Sequence, residues 1–279
     1  MLTKVEAYSS WQSAQELLLD AAGRPETDLL QIRNIDGLGP VEATINSIAS
    51  STFDGESYSG SSVGRRNIVL TVKPNPDWST WTYEKLRQLI YSYFMPKLLV
   101  RLVFETEELD PVEIYGYVET VEPVIFSRDG EIQISIICPS PHFTSVSPTV
   151  VVGTIGQTET LIDYDGTVET PVNLKVVHDL GPEPSFIVSA FSGIIPRVQQ
   201  VVTFINATNY FISNSETGNK YVRRVDSDTG VYTNLLSKIW SGSEWLTLQP
   251  GDNNFKVWVD SGDTEGTWTL TYFRKYGGL

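Results

Sequence analysis

The stretch from Trp78 to Phe104 constrains the rest of the chain most, because it joins the one strong helix signal to an apolar strand. Leu86, Leu89, Ile90, Tyr93 and Phe94 fall at i, i+3, i+4, i+7 and i+8. That spacing places them on one face of a helix expected at about 80–95. Thr80 and Thr82 are candidate N-caps, and Glu84 suits the positive end of the helix dipole. Pro96 ends the helix, since the residue before a proline is driven out of the α region. Leu98, Leu99, Val100, Leu102, Val103 and Phe104 then form a run apolar on both faces, broken only by Arg101, which reads as a buried central strand. A lone helix with one apolar stripe needs a sheet to lie on.

The remainder of the chain supplies strands. Leu29–Ile35 reads as a strand, Asp36–Pro40 as a turn, Val41–Ile48 as a weakly alternating strand and Ser50–Gly64 as a Gly/Ser-rich loop. Asn67–Val72 carries Ile68, Leu70 and Val72 on one face, and Pro74 and Pro76 close it. Glu105–Asp110 is an acidic turn, expected as a solvated hairpin tip. Val112–Val121 and Glu131–Cys138 are strands joined at Ser127–Gly130, the second alternating cleanly through Ile132, Ile134 and Ile136. Residues 1–28 leave two readings open: a short helix over Trp11–Ala22, or a strand with a turn at Asp20–Pro25.

The run Pro139–Pro148 holds three prolines, three serines and a threonine among its ten residues, where strands do not easily continue. It divides the chain into domains expected at 1–145 and 146–279, in keeping with the soft prior of about two domains for 279 residues. Beyond it no helical pattern survives. Short segments at Val150–Val152, Thr158–Ile162, Pro171–Val177, Ser185–Phe191, Gln200–Ile205, Tyr210–Ile212, Lys220–Val225, Trp245–Leu248, Phe255–Asp260 and Thr267–Phe273 are spaced as in an antiparallel sandwich. Leu235–Trp240 reads as an irregular turn.

Charge and composition exclude several function classes. The net charge is −14, and residues 1–145 carry 11 Lys and Arg against 20 Asp and Glu, a net of −9. Tight nucleic-acid binding rests on basic residues that neutralise phosphates, so sequence-specific nucleic-acid binding is not expected. A membrane-surface role is disfavoured for the same reason. No apolar run approaches the ~20 residues that span a bilayer, so no membrane insertion is expected. Met1–Glu6 lacks the apolar region of a signal peptide, which points to synthesis in a cytoplasm without export by the usual route. The single cysteine, Cys138, excludes an internal disulfide and any multi-cysteine metal site.

Several segments together resemble one family. Ile35–Pro40, Asp54–Gly60 and Gly64–Ile68 resemble the opening of the distal tail proteins of long-tailed, siphovirus-type bacteriophages. The helix with its strand, and Cys138–Phe143, sit in the family order. Asp165–Val172, Leu248–Asn253 and the closing strand at Tyr272–Arg274 extend the resemblance over nearly the whole chain. Each motif is made mostly of turn glycines and prolines, and their order carries the likeness. The second turn motif lacks some polar residues usual before the Thr-Pro pair, and residues 1–28 match poorly.

The resemblance implies a mainly β fold: a β-barrel-like α+β N-terminal domain, then an antiparallel galectin-like β-sandwich. It implies a structural virion protein of the tail tip, a hub subunit forming a hexameric ring between the tail tube and the host-adhesion device. Its implied partners are other copies of itself, the tail tube protein, and the tail-tip hub and receptor-binding or side-fibre proteins, with DNA passing through the ring. The Glu105–Asp110 turn is then a candidate lining of the ring's lumen. The family offers no catalytic residues to carry over, and no enzyme activity is expected.

The residues agree with that absence. His142 and His178 are the only histidines and lie apart in sequence, without the clustered Cys or carboxylates of a ligand set. Cys138 reads as a small buried hydrophobe; a catalytic thiol would need His142 folded back on it. Gly37 and Gly39 lack the third glycine and helix of a dinucleotide fingerprint, and Gly153–Gly156 lacks the Lys-Ser/Thr of a phosphate loop. Arg65–Arg66 and Arg223–Arg224 read as solvated or interface pairs. No catalytic, cofactor-binding or metal residue is therefore assigned, and no cofactor is expected. One alternative function rests on Trp240, Trp245, Trp258 and Trp268, which suit a carbohydrate-binding sandwich contributing to host attachment. Trp258 and Trp268 lie within alternating strands, where core packing is the expected role.

Overall fold

The computed structural model describes residues 2–10, 17–20, 29–49, 54–77, 79–124, 130–156, 158–178, 185–192, 195–202, 209–259 and 266–279. It is mainly β, with one α-helix among the described residues. The chain forms two units, one of residues 1–146 together with 276–279, the other of residues 147–275.

The first unit holds strands β1 (Leu2–Ser9), β2 (Leu17–Asp20), β3 (Leu30–Asp36), β4 (Ala43–Ala49), β5 (Glu56–Val63), β6 (Arg66–Pro74), β7 (Leu99–Thr106), β8 (Val112–Pro123), β9 (Ile132–Cys138) and β10 (Phe143–Ser145). Helix α1 (Tyr83–Phe94) lies between β6 and β7 in sequence. The strands run β8-β7-β1-β2-β3-β6-β9, and β9 pairs back onto β8, which closes a barrel. All these pairs are antiparallel except β2–β3. The ring of strands is thinnest between β2 and β3, which meet at one pair among the described residues, Asp20 with Gln31.

The period-2 alternation read from the sequence fixes the inner face. Ile68, Leu70 and Val72 of β6 meet Ile132, Ile134, Ile136 and Cys138 of β9 in one buried core, joined by Val100, Leu102 and Phe104 of β7. One strand, β8, serves both barrel neighbours: residues 112–117 pair with β7 and 117–123 with β9, with a bulge between Val118 and Thr120. Bulges bend a strand and raise its local twist, which suits this corner. Gly116 is required there, because a Cβ would lie 2.6 Å from Ile136 Cγ2 and 2.8 Å from Cys138 Sγ.

Of the two candidate caps, Thr82 caps α1, its side chain accepting from the Lys85 amide at 3.3 Å. Thr80 belongs to the preceding turn, where the Asp77 carboxylate accepts from the amides of Ser79, Thr80 and Trp81. Met95 leaves the helix in an extended conformation ahead of Pro96. Leu86, Ile90, Tyr93 and Phe94 are buried in the barrel core and Leu89 packs against it. The helix touches β1, β6 and β8.

Three expectations are corrected here. The β7 run is not buried on both faces: Val103 is covered, but Leu99 is 36% exposed and Arg101 also faces outward, since a barrel stave has only one core face. Ser50–Gly64 is not simply a loop, because Glu56–Val63 is β5 and pairs with β4. Small polar residues hid it, for neither face of that hairpin enters a core. Residues 276–279 do not stay with the second domain: Tyr276 is buried in the first core and the Leu279 amide donates to Leu38 at 3.0 Å. Residues 17–20 are strand; the remainder of the Trp11–Ala22 and Asp20–Pro25 alternatives, and Ser127–Asp129, lie outside the described residues.

The second unit is a sandwich of two antiparallel sheets. One contains β11 (Thr149–Thr154), β13 (Thr170–Val177), β16 (Asn209–Asn214), β17 (Tyr221–Asp226), β18 (Tyr232–Asn234), β19 (Thr247–Leu248) and β21 (Thr267–Tyr272), with β19 pairing off β13. The other runs β12 (Thr160–Tyr164), β20 (Gly251–Val259), β14 (Ser185–Ser192), β15 (Ile195–Val202). Leu174, Phe211, Trp268 and Leu270 from the first face meet Ile162, Val201, Phe255 and Val257 from the second. The expected strand at 200–205 begins earlier, at Ile195, and its residues 203–205 lie outside the described set. The unanticipated β18 is exposed at each of its three positions, so it carries no alternation to read.

Candidate functional site

Arg66, read from sequence as half of a solvated or interface pair, is 1% exposed. Its guanidinium donates to the carbonyls of Gly37, of Gly39 at 2.6 Å, of Pro141 at 2.6 Å and of Gly277 at 2.5 Å, and lies 4.5 Å over the Phe143 ring. A buried charge costs several kcal/mol unless its donors are satisfied, and here four carbonyl dipoles satisfy them. Gly37 has φ +88, and a Cβ there would lie 2.0 Å from the Asn67 carbonyl oxygen. Segments singled out in the sequence at 35–40, 64–68 and 138–143 therefore converge on one guanidinium. This is a structural junction.

The other chemistry-bearing residues stay apart. His178 is fully buried, and no group of three or more His, Cys, Asp or Glu among the described residues has the geometry to hold a metal. Cys138 faces the barrel core, and burial pushes its thiol up to about 11, against a smaller opposing effect of Arg66. Of the expected Glu105–Asp110 turn, Glu105 and Thr106 end β7 and pair with β1, and 107–110 form the exposed tip that leads to β8. Glu105 lies 3.5 Å from Lys4, and the Leu109 amide donates to Thr106 at 3.0 Å.

Two surfaces of the first unit expose apolar side chains. Among the described residues the β4–β5 hairpin pairs with no other strand, and nearly all its positions are exposed. Its pleat, with one bulge at Asn46/Ser47, places Ile45, Tyr58 and Val63 on a single face at 68%, 68% and 44% exposure. On the barrel exterior, Tyr8, Arg101 and Tyr115 stand opposite one another across β1, β7 and β8, beside the Leu99–Tyr117 pair. Arg101 is held by Glu113 at 2.5 Å and lies 5.0 Å from the Tyr8 ring centre.

In the second unit a cleft of about 590 Å³ is lined by residues of β13, β15 and the 240–247 segment. That segment is tied to β15: the Trp240 amide donates to Gln200 at 2.9 Å, the Glu244 amide to Val198 at 2.8 Å, and the Gln200 amide to Ser243 Oγ at 2.9 Å. Arg197 of β15 crosses the cleft to Glu169 at 2.9 Å, with Glu244 at 3.9 Å. Trp245 packs partly on the second core, and Lys220 Nζ lies 5.3 Å from its ring centre. Burial holds Lys275 below the usual lysine range, with Glu216 acting the other way. The Thr247 hydroxyl is buried and has no hydrogen-bond partner among the described residues.

The four tryptophans singled out in the sequence divide accordingly. Trp268 is core, donating to the Thr154 carbonyl at 3.0 Å. Trp258 is not core as expected: Phe255 and Val257 point inward, so alternation turns Trp258 to the other face, beside Lys256. Trp240 is 59% exposed, and Trp245 alone lines the cleft. Arg197, Glu244 and Lys220 carried no signal in sequence, and Glu169 stood out only within the Asp165–Val172 segment, because the four are scattered along the chain. Arg223, expected in a solvated or interface pair, lies 4.1 Å from the Tyr221 ring centre and 4.2 Å from that of Tyr232.

No protein-family model matches the chain, and no curated protein sequence matches it. Solved structures do. The fold is similar to that of the Dit protein of phage SPP1, described as a paradigm of the hub adsorption apparatus in phages infecting Gram-positive bacteria. The TM-score is 0.66 at 14% identity, over 97% of this chain and 98% of that one. Chains of the phage p2 baseplate in its activated conformation, with strontium and with calcium, match with TM-scores of 0.45 and 0.44 at 11% and 10% identity. The first covers 99% of both chains and the second 100% of both. The chain thus has the fold of a phage hub protein along almost its full length.

Proposed function

We propose that the chain is a structural subunit of a phage tail tip, a distal tail hub protein that closes into a ring between the tail tube and the host-adhesion device. The observation that carries this reading is the fold shared with the SPP1 Dit protein over 97% of this chain. A two-stranded hairpin that pairs with no other described strand supports self-assembly, because such a hairpin is marginal alone in water and exposes Ile45, Tyr58 and Val63 on one face and Ile48 on the other. A repeated heterologous contact that closes is a ring, and six copies is the number the family resemblance implies. The partners of this reading are further copies, the tube protein, and the hub and receptor-binding proteins below the ring. The acidic tip at Glu105–Asp110 is its candidate lumen lining, since acidic walls let DNA slide where basic ones would hold it.

Negative-stain imaging and light scattering of the purified protein, alone and with its tail partners, test the reading. A closed six-fold ring is expected; a chain that stays monomeric with those partners present overturns it. Particles with Glu105, Glu107, Glu108 and Asp110 changed to lysine should adsorb normally and eject DNA slowly, with salt relieving the delay. Normal ejection removes this turn from the lumen.

A further inference from the structure

We propose that the cleft lined by Arg197, Lys220 and Trp245 is a binding site for a saccharide that carries an acidic group. Its volume of about 590 Å³ falls within the range of roughly 300–1,000 Å³ usual for small-ligand clefts. Its lining is unlike that of a site for an apolar ligand. One aromatic ring, Trp245, forms a wall, and around it stand hydroxyls, carboxylates and cations.

A sugar ring has an apolar C–H face and a rim of hydroxyls, each able to donate and accept. The indole of Trp245 offers the apolar contact. The Glu169–Arg197–Glu244 cluster offers acceptors and planar donors already oriented by their own ion pairs, at 2.9 and 3.9 Å. Ser243 and Thr247 line the same wall. The 240–245 turn that presents Glu244 and Trp245 is bonded to β15 on both sides, so the two walls are positioned before a ligand arrives.

The acidic group follows from the charges left over. Arg197 is compensated by two carboxylates; Lys275 feels Glu216 without an ion pair, and Lys220, 5.3 Å from the Trp245 ring centre, has no ion pair among the described residues. Two such ammonium groups in one concavity, in a chain of net charge −14, favour an anionic substituent. Glu169 and Glu244 in turn oppose a polyphosphate, which separates this ligand from a nucleotide.

The site does not depend on ring assembly, and its test uses the full chain in solution. The probes are paired: glucuronate-containing disaccharides against their neutral glucose counterparts, and glucose 6-phosphate against glucose, each titrated with ligand-observed NMR. The acidic member of a pair should bind about tenfold or more tightly than its neutral partner. Lys220→Gln should remove that preference without moving the unfolding midpoint, and Trp245→Ala should abolish binding. Because Trp245 is partly buried, Glu244→Gln provides a surface variant: it leaves Arg197 less compensated and should raise the preference for the acidic member of each pair several-fold in a folded protein, and a lowered preference would count against the proposal. Absence of binding by every acidic probe at about 10 mM, equal binding of the neutral partners, unchanged affinity in Lys220→Gln, or displacement by AMP at lower concentration than the sugars would each overturn the proposal.

Discussion

Arg66 and Gly277 stand 211 positions apart, and the guanidinium Nη2 donates to the Gly277 carbonyl at 2.5 Å. The contact explains why the chain's last residues belong to the first unit although the second intervenes. The same guanidinium holds the Gly37–Gly39 turn and Pro141, so the chain's exit from the barrel and its return are fixed at one point. The second unit is in this sense an insertion within the first.

Replacing Arg66 by Leu should cost about 3–5 kcal/mol, because carbonyls that shared one buried cation lose their donor together. Lysine should recover only part of this, since a compact ammonium cannot reproduce the planar spread of donors. Chemical denaturation of the two variants checks the order. Equal stability of wild type and Arg66→Leu would remove the junction from the account.

Truncation before Tyr276 tests the insertion directly. It takes a buried aromatic and the Arg66–Gly277 bond from the first unit and leaves residues 147–275 intact. The unfolding of the first unit should move down while that of the second stays in place, as followed by hydrogen exchange on Ile134 and Leu270. Equal loss of protection in both units would show that they unfold as one.

Where a segment has one wet and one dry face, its structure was legible in the residues. Ile132, Ile134 and Ile136 announced β9, and the 3.6-residue spacing of Leu86, Ile90 and Phe94 announced the helix. Closure of the barrel was not legible, because the pairing of β8 with both β7 and β9 depends on a bulge at residues 118–120 that no local pattern marks. The β4–β5 hairpin was half missed for the opposite reason. Tyr58 and Val63 sit among serines and glycine and face no core of their own chain. Arg66 looked like a surface residue because its partners are backbone carbonyls, which leave no trace in side-chain chemistry. The cleft was likewise hidden: only Trp245 stood out, and its neighbours come from three separated strands and turns.

On the helix, Ile90→Ala should cost about 2–5 kcal/mol, for Ile90 is fully buried against the barrel interior. Leu89→Ala should cost less, as Leu89 is only partly covered, and the exposed Gln88→Ala should stay within about 0.5 kcal/mol. Denaturation midpoints in urea would separate the three, and equal shifts would mean that the helix does not seat as described.

Cys138 makes stability sensitive to alkaline pH. Its folded thiol titrates at about 11 because burial disfavours the thiolate, whereas an unfolded cysteine titrates near 8.5. Below the unfolded value the thiol is neutral in both states and adds no pH dependence. As pH rises toward 11 the unfolded chain ionises first, so stability falls, by on the order of 3 kcal/mol. A Cys138→Ala variant should lack this part of the alkaline loss. The native thiol should also resist a thiol reagent at neutral pH and react on unfolding; rapid native labelling would contradict its burial.

The exposed hairpin makes the sharpest prediction about assembly. Ile45 and Tyr58 share one face of β4–β5 at 68% exposure each, and Asn46 lies on the other face. Their apolar surface is unfavourable in water and is recovered only by burial against a partner. Ile45→Asp and Tyr58→Asp should therefore leave the unfolding midpoint of the monomer within about 0.5 kcal/mol of wild type, since no core contact is lost. In the assembled state the same charges would enter an apolar contact without a counter-ion, and the oligomer should be lost. Asn46→Asp, with equal charge on the opposite face, should assemble as wild type does. Sedimentation velocity on the three variants checks this. Assembly that survives both Asp substitutions on the Ile45–Tyr58 face would place the contact of the proposed ring elsewhere, with the Tyr8–Leu99–Tyr115–Tyr117 surface of the barrel as the next region to vary.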